Sequence, residues 1–493
     1  MKTSLSLVAL FLSALFSLAL SSPASAAEAP RAPNVLFIIA DDASPSFGCY
    51  GCTWAKTPNI DRLAARGVTF DGVYTPTAKC APSRAAILTG RNPWQLEAAA
   101  NHQSYFPPQY KAFTEVLAEA GHGVGSQGKF WGPGIARTSD GETRTWGLLP
   151  LGLKKGAGPE VGFKTFLEKR PKGKPFFFWY GSTNPHRAYE PDSGLAAGKK
   201  PADIERVPKY WPDNDTVRRD MLDYAIEIER YDAEVGALLK TLEESGELDN
   251  TLVIVTSDHG MPFPRVKGHN YDASNRVPLI AAWPKGIARP GRRAAEFVSL
   301  IDVAPTVLEL QGLDGAKAGM KKITGASLAD ILAGEAKRDR STVILGRERN
   351  DVLARLGTEH GLGYPVRGIR EGNLLYLHNF EPDRWPCGNA ELGFLDTDAS
   401  PTKKWVEDAG DKDRYWQFCF GKRPQEELFD VKADPDCVKN LLSDSGTART
   451  QADALREKLF MALRAQDDPR MAGRGAMFDE YPSVKKVPTA NKP

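Results

Sequence analysis

Three continuous apolar runs constrain this chain more than any other feature: Val35-Leu36-Phe37-Ile38-Ile39, Phe176-Phe177-Phe178-Trp179-Tyr180 and Leu252-Val253-Ile254-Val255. A strand with one wet face alternates apolar and polar residues, so an unbroken run of β-branched and aromatic residues reads as a strand covered on both faces. Such strands belong to parallel sheets sandwiched between helices. The stretch 216–245 reads as one long helix, with Leu222, Ala225, Ile228, Val235, Leu238, Leu239 and Leu242 at three- and four-residue spacing. The expected class is α/β, a large, mixed, mainly parallel sheet flanked by helices. A chain of 493 residues with 41% hydrophobic and 26% charged content is long enough for that core and a smaller companion domain. From about Ser341 the pattern changes to short strand-like pieces, Val343-Ile344-Leu345, Val366-Arg367-Gly368-Ile369 and Leu374-Leu375-Tyr376-Leu377, and then to an amphipathic segment with Leu455, Leu459 and Leu463. We expect domains at 27–340 and 341–493, the second an α+β unit in which a helix packs on a small antiparallel sheet.

Each apolar run ends in residues that carry chemistry. The first leads into Asp41-Asp42, the second into Asn184-Pro185-His186-Arg187, and the third into Asp258-His259-Gly260. In open α/β sheets ligands collect beyond the carboxyl ends of strands, and adjacent carboxylates there suit a hard cation. Between the first two runs lies Lys79-Cys80-Ala81-Pro82-Ser83-Arg84-Ala85-Ala86-Ile87-Leu88-Thr89-Gly90-Arg91. Pro82 suits the first helical position and Gly90 the stop, which puts Cys80 just before a helix N-terminus with Arg84 one turn in. Unpaired backbone N–H groups, the helix dipole and a guanidinium together favour an anion there.

The string from Cys80 to Arg91 closely resembles the signature of type I sulfatases, in which the cysteine is oxidised after synthesis to formylglycine. Phe47-Gly48-Cys49-Tyr50-Gly51, Thr57-Pro58-Asn59-Ile60-Asp61-Arg62-Leu63 and Asp258-His259-Gly260 resemble other motifs of that family. Pro262-Phe263-Pro264-Arg265-Val266-Lys267-Gly268 is similar to the basic loop of its heparan N-sulfatase (sulfamidase) branch, and Glu427-Leu428-Phe429-Asp430 to its C-terminal signature. The resemblance implies an alkaline-phosphatase-like fold and hydrolysis of sulfate, as ester or N-sulfate, from sulfated carbohydrate. It also implies a maturation enzyme that converts Cys80, so that the nucleophile is the hydrate of an aldehyde. One divalent cation would be held by Asp41, Asp42, Asp258, His259 and residue 80. Oxygen-rich ligands favour calcium, although a histidine is an unusual partner for so hard an ion. Arg84, Lys129 and Lys267 would neutralise sulfate oxygens, and His186, or else Lys267, would protonate the leaving group. In Gly128-Lys129-Phe130-Trp131 the family usually has a histidine where this chain has Trp131, which reads instead as a stacking surface for a sugar ring. His269 and Arg349 are further candidate substrate contacts, with Arg347-Glu348-Arg349 expected to reach back toward the pocket. A phosphodiester or phosphonate hydrolase on the same scaffold, and a non-catalytic sulfated-glycan-binding protein, are the competing classes.

Composition limits the rest. Lys2, an apolar run from Leu5 to Leu20 and Ser21-Ser22-Pro23-Ala24-Ser25-Ala26 form the pattern of an export signal cleaved after Ala26, which implies a secreted or periplasmic protein. No other run is long enough to span a bilayer. A formal charge of +2 gives no reason to expect nucleic-acid binding. Of the six cysteines, an oxidising compartment permits a bridge among Cys387, Cys419 and Cys437. The charged tail after Asp467 is expected to wrap or to move.

Overall fold

The computed structural model describes residues 32–443 and 446–486, so the expected export signal lies outside the described residues. Seven strands make the main sheet: β1 (Asn34–Ala40), β2 (Val68–Tyr74), β3 (Gly123–Gly128), β4 (Phe176–Gly181), β5 (Thr251–Ser257), β6 (Leu279–Ala282) and β7 (Arg292–Ser299). Their spatial order is β3-β4-β1-β5-β6-β2-β7. Every neighbouring pair is parallel except the two made by β6.

The apolar runs are continuous because both sheet faces are covered. Leu36, Ile38, Phe178, Val253 and Val255 pack on one face, while Val35, Phe37, Ile39, Phe177, Trp179, Leu252 and Ile254 pack on the other. Each such side chain contributes about 1.5–3 kcal/mol relative to exposure. Of the helices, α1 (Cys80–Thr89) carries the nucleophile candidate and α2 (Asp215–Glu244) backs the first face. The α2 N-terminus is capped by Asn214, whose side chain accepts from Val217 N–H at 3.0 Å. From its middle, the Tyr231 hydroxyl reaches the carbonyls of Ile38 and Thr256 at 3.1 Å each, tying down the ends of β1 and β5.

Strand register decides where function can sit. Ala40 stands beside Ser257, Ile39 beside Gly181, and Gly181 beside Gly128. The residues that follow β1, β3, β4 and β5 therefore leave the sheet at one edge, although more than two hundred positions separate the first from the last.

The second sheet is antiparallel, in the order β8 (Thr342–Arg347), β9 (Val366–Glu371), β10 (Leu374–Asn379), β11 (Glu426–Asp430). Helix α3 (Gly446–Ala465) lays Ala448, Ala452, Leu455, Leu459 and Leu463 against Ile369, Tyr376 and Leu428, as its spacing predicts. The tail wraps. Asp468 pairs with Arg367 at 2.7 Å, Phe478 O accepts from the Asn101 amide at 2.7 Å, and Val484 N–H donates to Gln103 O at 2.9 Å. Among the described residues no helix is long and apolar enough to cross a membrane.

One local expectation is corrected, and one question left open is answered. Helix α1 begins at Cys80 itself, with Lys79 as an extended N-cap, so Pro82 is its third residue and not its first. None of the six cysteines is bridged. Cys387 Sγ instead lies 3.1 Å from Cys419 O and 2.9 Å from His269 Nε2.

Candidate active site

Helix α1 is fixed against the end of β5. The Ser83 hydroxyl reaches Asp258 O at 2.8 Å, and Gly90 closes the helix in the left-handed region (φ 65°) with its N–H on Ala86 O. Cys80 is thereby buried with Sγ 3.3 Å from His259 Nε2. His259 Nδ1 bonds to Gly260 O at 3.0 Å, which leaves Nε2 facing Cys80. Asp41, Cys80, Asp258 and His259 each offer a donor atom, all within 4.8 Å of one another. Asp42 joins them through an unusual backbone. At φ 77° its N–H reaches Asp258 Oδ1 at 3.1 Å and its Oδ1 comes to 3.0 Å from His259 Nε2. That Oδ1 is buried and accepts no hydrogen bond. A buried carboxylate oxygen held only by a histidine ring nitrogen at 3.0 Å leaves lone pairs that a cation at this point would take up. The five residues expected to surround a metal thus come together, and three carboxylates with one imidazole fit a divalent ion.

Cationic side chains surround this cluster. Arg84 is fully buried, with Nε 2.9 Å from Asp258 Oδ2 and Nη1 2.5 Å from Lys129 O. Lys129 Nζ lies 2.7 and 2.6 Å from the two Asp41 oxygens. Its loop crosses the end of β4 so closely that a Cβ at Gly181 would stand 1.7 Å from Lys129 O, so only glycine fits there. Lys267 Nζ spans Asp42 Oδ2 at 2.7 Å and Asp398 Oδ2 at 2.8 Å. His186 is the open member, its side chain 36% exposed and its Nε2 4.0 Å from Asp42 Oδ2. It borders, with Asp41 and Lys129, a cleft of about 980 Å³ that continues to Glu190, Glu227 and Arg230.

The electrostatics follow from this crowding. Burial alone would raise the Cys80 thiol, but the ammonium groups of Lys129 and Lys267 and the His259 ring hold it well below its ordinary value. Burial would lower His259, yet Asp258 and Asp42 push it up to about 9. Burial and the neighbouring Asp258 charge raise the Asp41 carboxyl, whereas His259 and Arg84 pull Asp258 down against its own burial.

Three expected substrate contacts are placed elsewhere. Trp131 donates its indole N–H to Ala81 O at 3.1 Å and packs edge-on against Phe106. It braces the first turn of α1 and does not stand free for a sugar. His269 is buried against Cys387 and Tyr271, and burial together with Arg347 and Arg423 keeps its pKa well below the usual value. Arg349 is buried with its guanidinium on the carbonyls of Asp479 and Tyr481, so it holds the tail and not a ligand. Arg347 likewise ends on Tyr364 O and Pro386 O.

The sequence reading missed four residues. Asp351 binds Lys79 Nζ at 2.5 Å and His102 Nδ1 at 2.7 Å, which forms a partly buried trio beside Cys80. His102 Nε2 is buried without a hydrogen bond, and Cys80 is among the groups acting on its ring. Asp398 is the fourth. His102 is one of only seven histidines in the chain, and scarcity was its only signal, because no strand end or turn pattern marks it.

A buried cysteine at a helix N-terminus, a cluster of carboxylates with an imidazole and a ring of basic groups sit at the edge of a sheet of the alkaline-phosphatase-like class. The sulfatase family model matches residues 33–149 and 161–313, and the chain belongs to that family. It is accordingly a sulfuric ester hydrolase or a sulfamidase. It is 27% identical over 504 residues to the N-sulphoglucosamine sulphohydrolase of Homo sapiens, covering 94% of this chain and 96% of the relative. A solved structure described as a complex with its substrate D-glucosamine-2-N,6-O-disulfate superposes with a TM-score of 0.61 at 21% identity, over 89% of this chain and 99% of the other. A phosphonate monoester hydrolase of Agrobacterium radiobacter superposes nearly as well, with a TM-score of 0.60 at 18% identity, over 88% and 96%. The fold by itself therefore does not separate sulfate from phosphonate chemistry.

Proposed function

We propose that this chain is an exported sulfatase that removes sulfate from sulfated carbohydrate, with Cys80 converted to formylglycine and one calcium ion bound beside it. The observation that carries the reading is the convergence of Asp41, Asp42, Asp258 and His259 on Cys80 Sγ from separate strand ends. Asp41, Asp42, Asp258, His259 and residue 80 would hold the ion. It would supply Lewis-acid charge that favours an ionised oxygen nucleophile. Formylglycine would supply that nucleophile as the hydrate of its aldehyde. The N-terminal pattern through Ala26 supports export, and a maturation enzyme that meets the chain before it folds is the implied partner, since Cys80 is buried once folded. We set the boundary of the catalytic domain near residue 340, with the antiparallel sheet as its C-terminal companion.

The chain's own groups account for the rest. Arg84, Lys129 and Lys267 neutralise sulfate oxygens, and fixed donors of this kind cost no reorganisation when charge shifts. Arg84 also fixes Asp258 and the Lys129 loop, so it orients the site as well as charging it. His186 is open enough to meet a leaving atom and holds a proton for it at Nε2, with Nδ1 committed to Arg187 O at 2.5 Å.

Parallel assays with nitrophenyl sulfate and nitrophenyl phosphate test this. Sulfate is expected to turn over much faster, with activity lost on exhaustive dialysis against EDTA and restored by calcium. Preference for phosphate, or turnover unaffected by chelation, would overturn it. His186→Ala is expected to slow substrates with poor leaving groups far more than nitrophenyl sulfate, and equal losses would reassign the acid.

A further inference from the structure

His102 stands beside residue 80 and has no task in binding sulfate or protonating the leaving group. It follows the short turn Glu97–Ala100, and several partners fix its place. Its backbone N–H donates to Arg349 O at 3.0 Å, the Asn101 amide before it donates to Phe478 O at 2.7 Å, and Val484 N–H donates to Gln103 O after it at 2.9 Å. Ring Nδ1 lies 2.7 Å from Asp351 Oδ1, and Asp351 Oδ2 lies 2.5 Å from Nζ of Lys79, which caps α1 immediately before Cys80. One carboxylate thus ties the imidazole to the start of the helix. The side chain is 7% exposed, and Nε2 is buried with no hydrogen bond.

A carboxylate on Nδ1 holds the ring proton there, so the neutral ring presents a lone pair at Nε2. An acceptor stripped of water needs a donor. A thiol offers at most one weak donor, and Cys80 Sγ already faces His259 Nε2 at 3.3 Å. A hydrated aldehyde at residue 80 would put two oxygens where there is one sulfur. One replaces Sγ among Asp41, Asp258 and His259. The second finds those carboxylates engaged, Asp41 by Lys129 and Asp258 by Arg84. Asp42 Oδ1 lies 3.0 Å from His259 Nε2, on the side of the cation. Trp131, which braces the same turn of α1, has only a donor and spends it on Ala81 O. His102 Nε2 remains unclaimed. His102 also does not line the cleft that holds His186, so a hydroxyl that meets it faces away from the departing group.

We propose that His102 accepts a hydrogen bond from the hydroxyl of residue 80 that does not attack sulfur, and takes its proton when sulfate is released, with Asp351 as the positioning residue. This rests on the converted residue 80 proposed above and adds the base for the second half of the cycle. The O–H bond breaks and its electron pair re-forms the carbonyl of residue 80. The bond from that carbon to the sulfate oxygen breaks with its pair on sulfate, and the proton goes to Nε2. Water then adds across the carbonyl, and Nε2 gives its proton to solvent. In the net reaction, R–O–SO3⁻ and water give R–OH, SO4²⁻ and H⁺.

The test compares mature wild type with its His102→Gln and His102→Asn variants on nitrophenyl sulfate, with conversion of residue 80 verified by mass in each. In both variants kcat is expected to fall at least about a hundredfold and KM to fall with it, so that kcat/KM stays within about threefold, because nitrophenol departs before the step that needs His102. A loss of kcat/KM in step with kcat, as a displaced helix would give, or an unchanged kcat would overturn the proposal. A second readout needs no turnover. Long-range proton–nitrogen NMR spectra of the mature protein are expected to show, for the histidine signal that either variant lacks, a proton on Nδ1 and none on Nε2. A proton on Nε2 would make the ring a donor toward residue 80 and would also overturn it. A converted, active wild type whose His102 variants keep its kcat would remove this proposal alone. An active wild type with an intact thiol would remove the formylglycine reading and this one with it, and a wild type inactive on every sulfate would remove the sulfatase reading as well.

Discussion

At the edge of the main sheet, Asp41 and Asp42 follow β1 directly, Lys129 follows β3, and Asp258 and His259 follow β5. In the C-terminal part of the chain, Asp351 and Asp398 come instead from loops, and they reach the same neighbourhood through packing. The first group is fixed by strand register, since Ala40 beside Ser257 puts Asp41 beside Asp258 whatever the loops do. The second group depends on tertiary contacts, such as Asp351 N–H on Asp396 Oδ1 at 2.8 Å and Asp396 in turn on Arg355. Chemistry placed by register is tied to the fold, and chemistry placed by loops can vary on a constant fold. Groups placed by register and groups placed by loops should therefore respond differently to substitution.

Substitutions at the two regions should separate accordingly. The largest effect is expected from Cys80→Ala, at least about a thousandfold in kcat with the folded state retained, and from Asp258→Asn, on the order of a hundredfold, both measured with nitrophenyl sulfate. Asp351→Ala should behave differently, since it leaves Lys79 buried and uncompensated. A loss of about 3–5 kcal/mol in stability by denaturant unfolding is expected alongside any loss of rate.

Acid should distinguish the regions as well. Burial alone would raise the Glu348 carboxyl, but Arg470 and Arg367 hold it below the usual range, and Arg449, Tyr376 and Arg456 hold Glu426 at about 2 against its desolvation. A carboxyl depressed by folding contributes stability above its unfolded value near 4.3 and loses it as pH falls through the folded value. Thermal melts should therefore begin to fall below about pH 6.5, where His269 and His378 are protonated in the unfolded chain but held neutral in the fold, and should fall further between about pH 4.5 and pH 2. Glu348→Gln and Glu426→Gln should flatten that fall. The smallest effect is expected from Arg349→Ala. It should leave kcat/KM within about threefold while costing about 1–3 kcal/mol of stability, because its guanidinium serves the carbonyls of Asp479 and Tyr481. A large loss of rate there would blur the division between the regions.

The same division explains what could be read from residues alone. The buried strands, α2, the antiparallel sheet and α3 were legible because periodicity is local. The gathering of Asp41, Asp42, Asp258, His259 and Cys80 was legible because each adjoins a strand end or helix start. Trp131, His269 and Arg349 were misread because their partners, Ala81 O, Cys387 and the tail carbonyls, lie across the fold and no spacing announces them. Asp398 and His102 went unseen for the same reason. A loop residue acquires its role only when the loop is folded.

The state of residue 80 tests the account most directly. Mass spectrometry of the tryptic peptide Cys80–Arg84, from protein made in a host able to modify it, should find a lighter residue that reacts with a carbonyl reagent and resists alkylation. An intact, alkylatable thiol in fully active enzyme would contradict the account at its centre.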